Sequence, residues 1–217
     1  MLSFIARLPP DAENSRELDR LNAFSDGVFA VAITLLVLNI ETPKLSEGTD
    51  DDALWSAVKD LAPDVYAYFL AFAVIGLFWY GHAAMLSHLQ RTSGPLVVLN
   101  LVLLSLIALL PFTTSLIGGF GDSKVALSVF ALNLGAAAMA DSLMDQVAMR
   151  SELYVPGEEP DRRTLTISGI LRPMVFLLSI PLAFIDPTVA EFFWLTLFIV
   201  PDVAEWIARR METAESP

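Results

Sequence analysis

Apolar residues along this chain gather into six runs, each close to the length at which a helix crosses a bilayer, roughly 20 residues. Segments rich in charge, Pro and Gly separate these runs, most clearly at residues 41–52 and 150–163. The pattern predicts an all-α, six-helix transmembrane bundle surrounded by lipid. We expect one domain over residues 1–217, with spans at about 21–40, 65–89, 95–117, 124–149, 165–185 and 189–207.

The first run has two faces when it is placed on a helix. One arc holds an aromatic, a glycine, a hydroxyl and three branched apolar residues: Phe24, Gly27, Val31, Thr34, Leu35 and Leu38. Ser25 and Asp26 point away from that arc. We hypothesise that the arc lines an ion pathway and that Ser25 and Asp26 fix the helix to the bundle behind it. The alternative is that the arc packs against lipid or protein, because apolar stripes are common in membrane helices.

A pathway lined by one helix requires several copies of the chain, since a single helix cannot surround a channel; closed cyclic assemblies are the usual solution. Gly27 and Ala30 would let the copies approach closely. A ring of Thr34 hydroxyls could replace part of the hydration of an ion, and apolar rings can gate a pore by dewetting.

The basic residues divide unequally between the two sides of the predicted bundle. With six spans both termini share one side, which receives ten Arg, whereas the other side receives only Lys44, Lys59 and Lys124. The positive-inside rule therefore predicts cytoplasmic termini. The ten are Arg7, Arg16, Arg20, Arg91, Arg150, Arg162, Arg163, Arg172, Arg209 and Arg210.

Several polar side chains are predicted to lie at one depth, near the cytoplasmic end. Polar groups in hydrocarbon need partners, so we expect a hydrogen-bonded cluster that packs the helices together rather than one that conducts ions directly. Its members are Ser25, Asp26, Trp79, His82 and Asn100, with Arg20 as a further candidate. A second polar group, Asp141 and Asp145 one turn apart, either forms an ion-pair network with Arg172 and Arg150 or forms a functional carboxylate site.

Composition supports a membrane protein and excludes several other classes. The mean hydropathy is +0.59 with 55% apolar residues, above the range of ordinary soluble domains. A net charge of −12 argues against nucleic acid as a partner. The chain has no Cys, two His and no Gly-rich phosphate loop, so we expect no enzymatic activity, no catalytic residue, no metal site and no cofactor.

The first span also carries a motif. Arg20, followed by Phe24-Ser25-Asp26 and an apolar helix with a Thr, resembles the lysosomal potassium channel family of transmembrane protein 175 and its prokaryotic single-repeat homologues. The Trp79-x-x-His82 pair and the segment from Asn100 to Pro111-Phe112 resemble it more loosely. Two positions depart from the family pattern: Val31, where Ile or Leu is common, and Ala83, where many members have a second His.

The resemblance implies a function. It implies a homotetramer with the first helix lining a central pore, apolar constrictions at Val31, Leu35 and Leu38, and selectivity at Thr34. The expected function is thus a potassium-permeable cation channel in the cell inner membrane or plasma membrane, with K⁺ and other monovalent cations as permeant ions. The alternatives are a proton-permeable or weakly selective cation channel, and a membrane carrier or accessory protein.

Overall fold

The computed structural model describes residues 10–46, 48–120 and 123–215, and this part of the chain is all-helical. Residues 1–9, including Arg7, lie outside it. The helices are α1 (Pro10–Leu35), a 3-10 helix (Leu36–Asn39), α2 (Asp51–Asp60), α3 (Ala62–Ser87), α4 (Gly94–Gly119), α5 (Lys124–Arg150), α6 (Arg162–Ala183), α7 (Pro187–Phe193), a second 3-10 helix (Trp194–Phe198) and α8 (Val200–Glu215).

Five helical segments are long and apolar enough to cross a membrane: Asn14–Asn39, Ala62–Ser87, Gly94–Gly119, Lys124–Arg150 and Arg162–Ala183. The sixth apolar run is broken, because Pro187–Phe198 and Val200–Thr213 meet at 58°. Pro201 explains the break in part: it has no N–H with which to continue the helix from the preceding turn. The break begins just before this proline, at Ile199.

The α5 helix lies at the centre of the bundle, between α4 and α6. Small residues bring it close to its neighbours: a Cβ built on Gly135 would lie 3.4 Å from Cδ2 of Leu177 in α6. Phe130 of α5 also contacts Trp194, with ring centroids 5.2 Å apart, and Trp194 contacts Phe176 at 6.3 Å. These rings attach the broken sixth segment to the core.

The connections at one end of the bundle are joined by backbone hydrogen bonds. The N–H of Gln90 donates to the carbonyl of Leu153 at 2.9 Å, and the N–H of Val155 donates to the carbonyl of His88 at 2.9 Å. The hydroxyl of Thr92 donates to Glu17 of α1 at 2.9 Å. The α3–α4 and α5–α6 connections and the early part of α1 therefore form one connected end.

Candidate pore helix and its polar supports

One face of α1 is buried in the bundle, and its residues recur every three or four positions, as expected for the inward face of a helix. They are Leu18, Leu21, Ser25, Phe29 and Ala32, continued by Leu36 in the 3-10 helix. The buried face therefore orients the whole of α1 within the subunit.

Ser25 joins α1 to α4. The Ser25 Oγ donates to the carbonyl of Leu21 at 2.9 Å, and the Nδ2 of Asn100 donates to the same Oγ at 3.1 Å. Both side chains are buried, so each satisfies the polar group that the other brings into the core.

Asp26 joins α1 to α3. The indole Nε1 of Trp79 donates to its Oδ1 at 2.8 Å. A hydrogen bond to a carboxylate is stronger than one between neutral groups. The two bonds at Ser25 and Asp26 hold neighbouring residues of α1 against two different helices, which restrains both the height and the rotation of α1.

The two remaining members of the predicted cluster behave differently. His82 is 2% exposed and packs its ring against Phe29, with centroids 5.6 Å apart. Neither ring nitrogen has a hydrogen-bond partner among the described residues. Arg20 is exposed, and its side chain forms no ion pair or hydrogen bond with any of the described residues. The structure therefore brings together Ser25 with Asn100 and Asp26 with Trp79, but not Arg20.

The opposite face of α1 is open. Val31, Leu35 and Leu38 are 57%, 41% and 71% exposed, and Phe24 is exposed beside them. A Cβ built on Gly27 would meet no atom within 4 Å. The predicted arc is thus a continuous apolar surface that the subunit itself does not cover.

Thr34 lies within this open surface. Its Oγ1 donates to the carbonyl of Val31 in the same helix, at 2.9 Å. Because the hydroxyl hydrogen is directed to the backbone, the lone pairs of the oxygen remain available to a cation or to water. The group can therefore act as a neutral oxygen ligand.

A groove of about 510 Å³ runs along the open face. Its lining is almost entirely apolar and includes several small residues: Ala23, Phe24, Gly27, Val28, Val31, Ala32, Leu35 and Ala108. A groove of this composition can accept an apolar side chain or a lipid chain.

The carboxylates of α5 border a separate cavity of about 280 Å³. Arg172 NH1 lies 3.3 Å from Asp141 Oδ2, and the hydroxyl of Tyr154 donates to Asp145 Oδ1 at 3.4 Å. Burial and the two neighbouring carboxylates raise the pKa of Tyr154, which keeps its hydroxyl protonated as a donor. The described residues contain no group of three or more His, Asp or Glu that could hold a metal ion. Of the two predicted roles, the geometry favours the structural ion pair.

Sequence reasoning missed one contact of α1. The Nδ2 of Asn39, in the 3-10 helix that ends the segment, donates to the carbonyl of Pro111 in α4 at 2.8 Å. The available signal was a polar residue ending an apolar run opposite a helix with an internal proline.

Comparison with known proteins identifies relatives over most of the chain. A family model described as the endosomal/lysosomal potassium channel TMEM175 matches residues 20–111. A potassium channel of Streptomyces collinus is 35% identical over 176 residues, which is 78% of this chain and 84% of that protein.

A solved structure and an animal protein extend the similarity. The crystal structure of a lysosomal potassium-selective channel TMEM175 homologue from Chamaesiphon minutus matches with a TM-score of 0.67 at 30% identity, covering 90% of this chain and 98% of that one. The endosomal/lysosomal proton channel TMEM175 of Bos taurus is 35% identical over 98 residues, 43% of this chain but only 20% of that longer protein.

Proposed function

This chain belongs to the TMEM175 family, and we propose that it is a potassium-permeable cation channel whose homotetrameric pore is lined by α1. The family is one of multi-pass membrane channels rather than enzymes. The bacterial relatives that match most of the chain are named potassium channels, which supports K⁺ as the permeant ion.

One observation carries the proposed pore: the apolar face of α1 that no other part of the subunit covers. This face bears three large apolar residues and one hydroxyl, and it becomes covered by protein if copies of α1 converge on a shared axis. The groove beside Ala108 would then receive a side chain from the neighbouring subunit. The number of copies, four, follows from the resemblance to the family.

The proposed mechanism is passive diffusion along this axis. Rings of Val31, Leu35 and Leu38 form apolar constrictions that empty of water when they are narrow. A ring of Thr34 oxygens, with their hydrogens turned to the backbone, replaces part of the hydration shell of K⁺. Ser25, Asp26, Trp79 and Asn100 hold the helix from behind, so Asp26→Ala should impair assembly more than ion preference.

We further propose that both termini are cytoplasmic and that the channel lies in the cell inner membrane or plasma membrane. The excess of Arg at the two termini and in the α3–α4 and α5–α6 connections supports this orientation. At that end the backbone of Ser151 accepts a hydrogen bond from Arg91 at 3.0 Å.

A proton-permeable or weakly selective cation channel of the same architecture is the second candidate. It is favoured by the similarity to the bovine protein, which is named a proton channel. A carrier would instead couple K⁺ flux to a counter-ion in fixed stoichiometry. Flux of K⁺, Na⁺ and H⁺ into liposomes under an imposed voltage separates the three, because only passive K⁺ flux without coupled counter-transport supports the proposal.

Cysteine cross-linking tests the position of α1. The chain has no Cys, so single substitutions can be read without interference. Leu38→Cys should give disulfide-linked subunit pairs, whereas Leu143→Cys on α5, also exposed at 40%, should not. Leu35→Ala should raise K⁺ flux several-fold and Leu143→Ala should leave it unchanged. Equal cross-linking at both positions, or unchanged flux for Val31, Leu35 and Leu38 variants, would contradict the pore.

A further inference from the structure

The end of α1 differs from the rest of the helix in its backbone geometry. The α-helix stops at Leu35, and Leu36–Asn39 continues as a 3-10 helix. In a 3-10 helix there are three residues per turn, so side chains at i and i+3 lie above one another. Leu38 is therefore aligned with Leu35, whereas continued α-helix would rotate it by about 60°.

Two contacts hold this 3-10 helix against the subunit. Leu36 is fully buried, while Leu38 is the most exposed of the proposed constriction residues. Asn39 donates its Nδ2 to the Pro111 carbonyl at 2.8 Å. Within the described chain, this is the only side-chain hydrogen bond that joins the part of α1 beyond Asp26, or its 3-10 helix, to another helix.

The acceptor lies in the interior of α4. Pro111 is buried within this helix, which is continuous over Gly94–Gly119, and its own carbonyl accepts the Asn39 amide. A backbone carbonyl has two lone pairs and can accept a side-chain donor in addition to its helical partner. In an apolar bundle few other acceptors compete for the Asn39 amide.

We infer that Asn39 is a positioning residue for conduction. Its hydrogen bond to Pro111 holds the 3-10 helix against α4 and so keeps Leu38 aligned with Leu35 at the outer constriction. This inference rests on the proposed pore. Without the bond, the 3-10 helix loses its polar attachment to α4, and Leu38 moves away from the line of Leu35 for a larger fraction of the time. The constriction then opens more often to water and K⁺.

Asn39→Leu removes the donor and keeps a side chain of similar size. Loss of one interhelical hydrogen bond in a membrane changes an equilibrium about threefold on average, so K⁺ flux into liposomes should rise by a similar factor. Asn39→Gln retains an amide donor and should give a smaller increase. Asn133→Leu is the matched control, because the Asn133 amide also donates to a carbonyl of α4, that of Leu106 at 3.2 Å, but lies on α5. It should lower the melting temperature without raising flux.

The decisive measurement repeats the substitution in a Leu38→Ala background. If Asn39 acts through Leu38, then Asn39→Leu should change flux less than twofold there. An equal effect in both backgrounds, or an unchanged flux with the Leu38 side chain present, would overturn the inference. Failure of the proposed function looks different, because wild type and Leu38→Ala would then both fail to conduct K⁺.

Discussion

The first and fourth membrane helices, Asn14–Asn39 and α5, are similar in length and unlike in burial. The segment Asn14–Asn39 has the higher mean hydropathy, 1.9 against 1.5 for α5. Yet only 22% of its most apolar 18-residue stretch is buried in the subunit, compared with 61% of the corresponding stretch of α5. Hydropathy therefore predicts that a helix lies in a membrane, but not what it touches there. The more apolar helix is the one whose surface the subunit leaves open.

The residues on the two helices explain the difference. The α5 helix carries Gly135, Ala137 and Ala138, which let α4 and α6 approach on both sides. The α1 helix packs only one face against the bundle and presents Val31, Leu35 and Leu38 on the other. An inner helix is thus one with small residues facing its neighbours, whereas α1 needs lipid or further subunits to cover its large residues.

The largest expected effect compares the two faces of α1. Phe29→Ala removes a ring that is 1% exposed and that packs on His82, and should lower the free energy of unfolding by about 3–5 kcal/mol. Val31→Ala should change it by less than about 0.5 kcal/mol, since the side chain is exposed in the subunit. Unfolding of detergent-solubilised subunits measures both values. Equal losses would show that the exposed face is as tightly packed as the buried one.

The next effect compares two glycines. Gly135→Leu adds carbon atoms where a Cβ alone would lie 3.4 Å from Leu177, so it should destabilise the subunit by about 1–3 kcal/mol. Gly27→Leu adds the same atoms where nothing lies within 4 Å, and should leave the melting temperature of the subunit unchanged. Its effect should be on oligomer formation and K⁺ flux, measured by size-exclusion chromatography and liposome assay. A subunit destabilised by Gly27→Leu would contradict the open face.

A smaller effect concerns the helix that covers α5. Asp161 accepts the N–H of Thr164 at 2.7 Å at the start of α6, so Asp161→Ala should cost about 1 kcal/mol. That bond lowers the pKa of Asp161, and its contribution is present above the ordinary carboxyl pKa of about 3.9. The contribution is lost as pH falls through the lowered pKa, so the wild type and the variant should converge in acid. Salt should reduce the difference, because the carboxylate is exposed.

The smallest effect tests the polar support of α1. Trp79→Phe removes the donor to Asp26 and should cost about 0.6 kcal/mol, the average for an interhelical hydrogen bond in a membrane. Asp26 stays exposed, so no buried charge is left unpaired. A double-mutant cycle with Asp26→Ala isolates the bond. A coupling energy of zero would mean that the contact does not hold α1 in place.

The depth of the polar residues in the bundle was predictable from the sequence, but the direction of their side chains around each helix axis was not. Counting along alternating spans gave the depth of Ser25, Asp26, Trp79 and Asn100, and those residues meet as two pairs. The same count could not give the angle around each helix axis. Arg20 shares the depth but is exposed on α1, and His82 packs on Phe29 with no hydrogen bond among the described residues.

The break in the sixth segment was only partly predictable. Pro201 signals an interruption, but a proline alone does not specify an angle of 58° or the 3-10 helix at Trp194–Phe198. Those features depend on how the Trp194 ring packs against Phe130 and Phe176 in the assembled core. The contact between Asn39 and Pro111 has the same origin, because it joins residues far apart in the chain.

The order of apolar and polar residues, by itself, determined an all-helical membrane protein, the two faces of its first helix and its resemblance to a channel family. These properties follow from the helical repeat and the thickness of the bilayer, which act locally along the chain. Only the tertiary structure decided that α5 is enclosed, that the face with Val31 and Leu35 is left open, and that Asn39 reaches α4. Such outcomes depend on which helices lie side by side, and side-chain packing between distant segments fixes that arrangement.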